Sequence, residues 1–249
     1  TSFMASTFLK TDSLHEWLQT PPGQYMLAWE QKHFDRAVSD AFGFHALQLG
    51  LPQCDALGAN RMPHKFMACD GVPSDYALDR PLFLTNYEAL PFSDASLDLV
   101  VLPHTLELSF DPHATLREVE RVLVPEGRVV IAGMEPLSLW GASKALGRGV
   151  PEFGDLISQR RIRDWLKLLS FEVDHHTSGC FRPMLRTDRW LQRMRWMDTL
   201  GSRWWPLSGA VYFVQAVKRV RGLRLISPVW KKSKQRAAAT VTTASKGME

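Results

Sequence analysis

No stretch of about eighteen consecutive apolar residues occurs in this chain, so nothing in it reads as a membrane span. The opening residues, TSFMASTFLK, lack a basic segment followed by an apolar block, the pattern of a secretory signal. Cysteine is scarce: Cys54, Cys69 and Cys180 are widely spaced and include no C-x-x-C pair. That argues against a zinc site or a disulfide framework, so no metal is expected and the reducing cytoplasm is the expected location. His175 and His176 are adjacent, so on a strand they point to opposite faces and make a poor metal pair. What the chain does have is 249 residues, 45% of them hydrophobic, enough for one full core with elaborations. Its net charge of +4 is uneven: Lys218 to Glu249 carries nine Lys/Arg against one acid, a balance of +8, which leaves the preceding residues at −4.

The organising stretch is Leu90 to Gly133, LPFSDASLDLVVLPHTLELSFDPHATLREVERVLVPEGRVVIAG. LDLVVL is almost wholly apolar, as suits a strand buried on both faces of a parallel sheet. Asp111-Pro112 opens a helix, the carboxylate as N-cap and the proline at the first helical position. Leu116, Val119, Val122 and Leu123 recur at helical spacing, while Arg117, Glu118, Glu120 and Arg121 face water. Pro125-Glu126-Gly127 is expected to stop that helix, and RVVIAG reads as a second buried strand. Strand, crossover helix and strand make a βαβ unit, so the chain is α/β.

The same residues carry a resemblance. L-P-F-x-D-x-x-x-D-x-V, then D-P and L-R-E-x-x-R-V-L-x-P-x-G-R, resemble the class I S-adenosylmethionine-dependent methyltransferases of the type 11 group. FGFHALQLG, PLSLWG and DWLKLLSFEV resemble an uncharacterised proteobacterial branch of that group. The resemblance implies a Rossmann-like fold: a mostly parallel seven-stranded sheet, its last strand antiparallel, with helices on both faces. It implies a methyltransferase using S-adenosylmethionine on a small or tRNA-linked acceptor. The alternative is a module that kept the fold and lost catalysis.

Before the match, Thr11-Asp12-Ser13 are expected to cap a short helix through Trp17 and Leu18, and a longer helix is expected over residues 24–41. The resemblance sets such leading helices (1–42) over the cofactor and substrate mouth, although plain sheet coverage serves equally. Strands are expected at 44–49, 65–69 and 81–85, and Gly58, Asn60 and Pro63 predict that the usual helix between the first two is shortened or missing. The family's D-x-G-x-G-x-G loop corresponds to Gln48-Leu49-Gly50-Leu51-Pro52-Gln53-Cys54, where only Gly50 survives. Pro52 fixes its φ and removes an N–H, so the loop cannot keep its usual shape. Gln48 can still offer a hydrogen bond to a cofactor ammonium; Gly50, Leu51 and Leu102 are implied to line the cofactor. Asp70, at a strand end, is placed to accept from ribose hydroxyls, or simply opens a turn. Asn86 and Tyr87 stand where relatives contact adenine, Asn86 accepting through its amide oxygen and Tyr87 donating its backbone N–H and stacking its ring; a strand-end turn is the competing use.

His104 follows the fourth strand, at the end where open α/β sheets hold ligands, so His104 and Glu107 are the candidates for a general base. A purely structural histidine is the other reading. Glu135 and Trp140 leave the fifth strand beside the expected acceptor site. Gly147 to Gly154 has the character of a mobile loop. Ser158 is expected to cap a helix striped by Ile162, Trp165, Leu166 and Leu169, followed by a sixth strand at 171–177. Residues 182–209 are expected to form a cap insertion with one helix from Thr187-Asp188 to Gly201. Its Trp190, Met194 and Met197 face either an acceptor or the sheet. A seventh strand at 210–217 completes the domain of residues 43–218. The basic residues 219–249 are expected to be a solvated, disordered tail, suited also to weak contact with nucleic acid.

Overall fold

The computed structural model describes residues 14, 16–71, 80–147, 154–185, 187–205 and 208–219. The capping residues expected at 11–13, most of the 147–154 connector and the tail beyond Arg219 lie outside the described residues. Residues 16–18 are helical, and the Thr20 hydroxyl donates to the Trp17 carbonyl at 2.6 Å, closing that turn. Helix α1 (Pro21–Ser39) then starts three residues before the expected Gln24. The prolines that read as a break are its first turn, where a missing N–H costs nothing and φ is already helical.

Seven strands form one sheet: β1 (His45–Leu49), β2 (His64–Cys69), β3 (Leu82–Leu84), β4 (Leu97–Pro103), β5 (Leu123–Met134), β6 (Phe171–Gly179) and β7 (Val211–Lys218). Their order is β3-β2-β1-β4-β5-β7-β6, with β1 to β5 parallel and β7 antiparallel to both its neighbours. The chain runs outward from β1 to β3 and returns beside β1 as β4, which makes the β1/β4 junction the topological switch point. No helix separates β1 from β2; residues 52–59 are a chain of turns.

Alternation along the strands builds two cores. On one face Leu99 and Val101 of β4 pack with Met26, Phe34 and Val38 of α1. On the other, Val100 and Leu102 pack beneath α3 (Pro112–Val122) and α5 (Gln159–Leu168). Asp111 caps α3 through its carboxylate, which accepts from the N–H groups of His113 at 2.9 Å and Ala114 at 3.0 Å. Helix α3 ends at Val122, earlier than Pro125-Gly127 suggests, because β5 already pairs from Leu123 opposite Leu97. Short helices α2 (Thr105–Leu108) and α4 (Leu139–Ala145) follow β4 and β5.

The segment 182–209 differs from the single helix expected. Its described residues hold two, α6 (Asp188–Arg193) and α7 (Trp196–Trp204), broken at Met194-Arg195. Thr187 makes no side-chain cap, and Gly201 lies inside α7 rather than ending it. Among the described residues, no helix is long and apolar enough to cross a membrane.

Candidate functional site

At the end of β1 the chain turns through two consecutive left-handed residues, Gly50 (φ 73°) and Leu51 (φ 45°). Gln48 organises that turn from inside. Its fully buried amide nitrogen donates to the carbonyls of Leu51 at 3.1 Å and Cys54 at 2.8 Å, with Gly50 at 3.3 Å. Its amide oxygen accepts from the Ala56 N–H at 3.2 Å. The amide expected to meet a cofactor is therefore occupied within the loop. A carboxylate here would face three carbonyl oxygens with no proton to donate, which is a physical reason for glutamine in place of the acid.

At the end of β4, His104 is itself left-handed (φ 54°) and fully buried. Its Nδ1 meets Glu107 Oε2 at 2.8 Å and its Nε2 meets Glu30 Oε1 at 2.6 Å. Burial works against the imidazolium, but the Glu30 and Glu107 carboxylates outweigh it and push the His104 pKa up to about 10. A histidine held protonated between two carboxylates does not accept a proton at neutral pH. Glu107 is equally committed, since its other oxygen accepts from the Met134 N–H. Neither residue of the expected general base is placed to act as one. The Thr105 hydroxyl donates to the Leu49 carbonyl and so ties β4 to β1 across the switch point.

Two candidates do face solvent. Asp70 and Asn86 stand one residue beyond β2 and two beyond β3, strands joined there by the Thr85 N–H to the Cys69 carbonyl at 2.9 Å. Burial, and then the charge of Glu88, raise the Asp70 carboxyl above its ordinary value. Asn86 makes the turn that was its competing reading: its Oδ1 accepts from the Glu88 N–H at 2.9 Å, which leaves one lone pair for another donor. Tyr87 does not offer its ring for stacking. The ring is buried, and its hydroxyl accepts from the Asp70 N–H at 3.2 Å. That hydroxyl also borders Gly50, where an added Cβ would come within 3.2 Å of it and 3.5 Å of Thr105 Oγ1.

The remaining candidates are interior. Leu51 and Leu102 belong to the two cores. Glu135 is buried, and its carboxylate accepts from the Gln159 N–H at 2.9 Å, serving the first turn of α5. Trp140 is 1% exposed; its indole donates to the Arg182 carbonyl at 2.7 Å, and its ring meets Trp17 edge-on at 5.7 Å. Neither residue presents a side chain to an acceptor. A cluster not anticipated from sequence joins α1 to the cap: Asp198 accepts from Tyr25 and, at 2.9 Å, from Arg182, whose guanidinium lies 4.4 Å over the Tyr25 ring.

Comparison with known proteins agrees with this architecture. Residues 61–131 match the model of a family described as a methyltransferase domain. The chain is similar to the uncharacterized protein YafS of Escherichia coli (strain K12), 32% identical over 166 residues, 64% of this chain and 65% of YafS. It is also similar to malonyl-[acyl-carrier protein] O-methyltransferase 1 of Coxiella burnetii, 29% identical over 111 residues, 41% of this chain and 39% of that protein. The matched stretches thus span less than two thirds of both relatives. A solved S-adenosylmethionine-dependent methyltransferase from Thermotoga maritima shares the fold, with a TM-score of 0.58 at 15% identity over 87% of this chain and all of that one.

Proposed function

We propose, for a chain that carries a methyltransferase domain on the class I fold, that it binds S-adenosylmethionine and transfers the methyl group to a small or RNA-linked acceptor. The observation that carries this reading is the pair Asp70 and Asn86. They are exposed polar side chains on adjacent strand ends, beside a left-handed glycine at the switch point where open α/β sheets hold ligands. The chemistry of these donors and acceptors suits an adenosine. In this reading the Asp70 carboxylate accepts from both ribose hydroxyls, and the free lone pair of Asn86 accepts from the adenine amine. Gly50 takes the left-handed turn at the end of β1 without the strain that a Cβ would bring. When bound, S-adenosylmethionine supplies a methyl group on a sulfonium, so no protein nucleophile is required. His104 and Glu107 then hold the β4 turn in place, and an acceptor that must lose its proton gives it to a group other than His104.

Calorimetry with S-adenosylmethionine and S-adenosylhomocysteine tests the reading. A working site binds by about −6 kcal/mol, in the tens of micromolar, or tighter. No heat and no thermal shift at millimolar ligand would sink the proposal. Asp70→Ala and Asn86→Ala are each expected to weaken binding by about 1–3 kcal/mol; unchanged affinity in both would refute the site. A second reading, a binding module without catalysis, is favoured by the buried Leu51, Pro52 and Cys54 where the glycine-rich loop would be. Full affinity without methyl transfer to any small-molecule or RNA acceptor would select it.

A further inference from the structure

Three ionisable side chains from three elements meet at the carboxyl ends of β1 and β4, and all are buried: Glu30 of α1, His104 after β4, and Glu107 of α2. With His104 as imidazolium the group carries a formal charge of −1. Three of its four carboxylate oxygens have partners, two on the imidazole and one on the Met134 N–H. The fourth, Glu30 Oε2, is buried with no hydrogen-bond partner among the described residues. A buried carboxylate oxygen without a donor, in a cluster with excess negative charge, is costly, and both defects are removed by one arriving cation that carries N–H groups. The titrating neighbours that feel Glu30 do not provide it. They are His104 itself and the thiols of Cys54 and Cys180, both pushed up first by burial and then by Glu30, and so kept neutral.

The position of this oxygen gives it a use. His104 is one residue past β4, and its neighbour Thr105 bonds the last residue of β1. Through His104 and Thr105, Glu30 of α1 is thus linked to the end of β1, the strand in which Gln48 stands at the acidic position of the D-x-G-x-G-x-G pattern. We propose that Glu30 Oε2 receives the α-ammonium of the cofactor's methionine end, supplying from the leading helix the negative charge that Gln48 does not. This rests on the cofactor reading above. The ammonium is favoured over the sulfonium because only the ammonium has N–H groups to donate. Gly50, His104 and Thr105 are buried, so contact between the ligand and Glu30 requires α1 and the turn after β1 to separate.

The test is calorimetry on the full chain with two probes, S-adenosylhomocysteine and its deaminated analogue, which keeps adenosine, thioether and carboxylate. Wild-type protein is expected to bind S-adenosylhomocysteine at least about tenfold more tightly than the analogue. Glu30→Gln, which keeps the side-chain size and still accepts from His104, is expected to erase that preference while binding the analogue within about twofold of wild type. Equal wild-type affinity for the two probes overturns the assignment while leaving the cofactor reading intact, and it needs no variant that must fold. Equal weakening of both probes in Glu30→Gln assigns Glu30 a purely structural role and also overturns it. Silence of the wild-type chain toward both probes removes the cofactor reading and this inference together.

Discussion

A glutamine side chain has two N–H donors where a carboxylate has none, and at position 48 that difference decides the local fold. The three carbonyls that converge on the Gln48 amide come from Gly50, Leu51 and Cys54, so the side chain replaces the conformational freedom of missing glycines with a fixed scaffold. Placing the acid of the D-x-G-x-G-x-G pattern at this position is therefore expected to harm the protein. Gln48→Glu should lose about 2–4 kcal/mol of stability in urea unfolding, because one carboxylate oxygen would face three carbonyl acceptors and only the Ala56 N–H would remain as a donor; unchanged stability would refute the scaffold role. His104 poses the opposite case, a buried cation that two anions require. Removing it in His104→Ala should cost about 3–5 kcal/mol, since Glu30 and Glu107 would remain buried without their counter-charge. Its pH signature has a definite sign. The folded pKa of about 10 lies above the ordinary histidine value, so the stabilisation is complete below about pH 6.5 and is lost as pH rises through about 10. Urea midpoints measured from pH 6 to pH 10 should fall more in wild type than in His104→Ala, and parallel profiles would contradict the imidazolium. Neither residue's role was legible in sequence: Glu30 lies far upstream on α1, and the partners of Gln48 are carbonyls, which no sequence pattern marks.

At the level of elements, the cap shows how one glycine reads differently in sequence and in space. Gly201 follows an apolar stripe and so suggests a helix end, yet α7 continues to Trp204. The glycine serves packing: a Cβ there would come within 2.3 Å of Phe181 Cγ, a buried ring held close to its own backbone. Gly201→Ala gains about 1 kcal/mol of helix propensity, and the clash should exceed it, for a net loss of about 1–2 kcal/mol. Thermal unfolding would read this as a lowered midpoint; a raised midpoint would show that the ring moves aside. A neighbouring side of α7 carries Trp196, Leu200 and Trp204 at i, i+4 and i+8, all exposed, so these apolar side chains face outward instead of packing on the sheet. The strands were the legible part, since buried parallel strands are near-continuous apolar runs and LDLVVL and RVVIAG are both paired strands. The lack of a helix between β1 and β2 was legible too, because Gly58, Asn60 and Pro63 leave no room for one. The break between α6 and α7 was not, since Met194 and Arg195 are both good helix formers.

Across the whole molecule, the charge asymmetry is sharpened by the fold. Nine Lys/Arg lie from Lys218 onward, and two of them are engaged by the domain: Lys218 with Glu120 at 3.0 Å, and Arg219 with Glu172 at 2.8 Å and with Glu126. The other seven, against the single acid Glu249, follow residue 219. Those three ion pairs also fasten the end of β7, so a truncation that respects the fold must keep both residues. Deleting residues 231–249 removes five of the seven and leaves every described contact in place. If the tail binds RNA, retention of a single-stranded oligonucleotide should weaken steeply between about 50 and 200 mM salt, each neutralised phosphate adding about −0.7 to the slope of log affinity on log salt. Truncation should then flatten that slope by up to about 3.5 while leaving the thermal midpoint and cofactor heat unchanged. An unchanged slope would assign any RNA binding to the domain itself. There the exposed arginines of the cap, Arg189, Arg193, Arg195 and Arg203, stand among its exposed tryptophans and form the next surface to substitute.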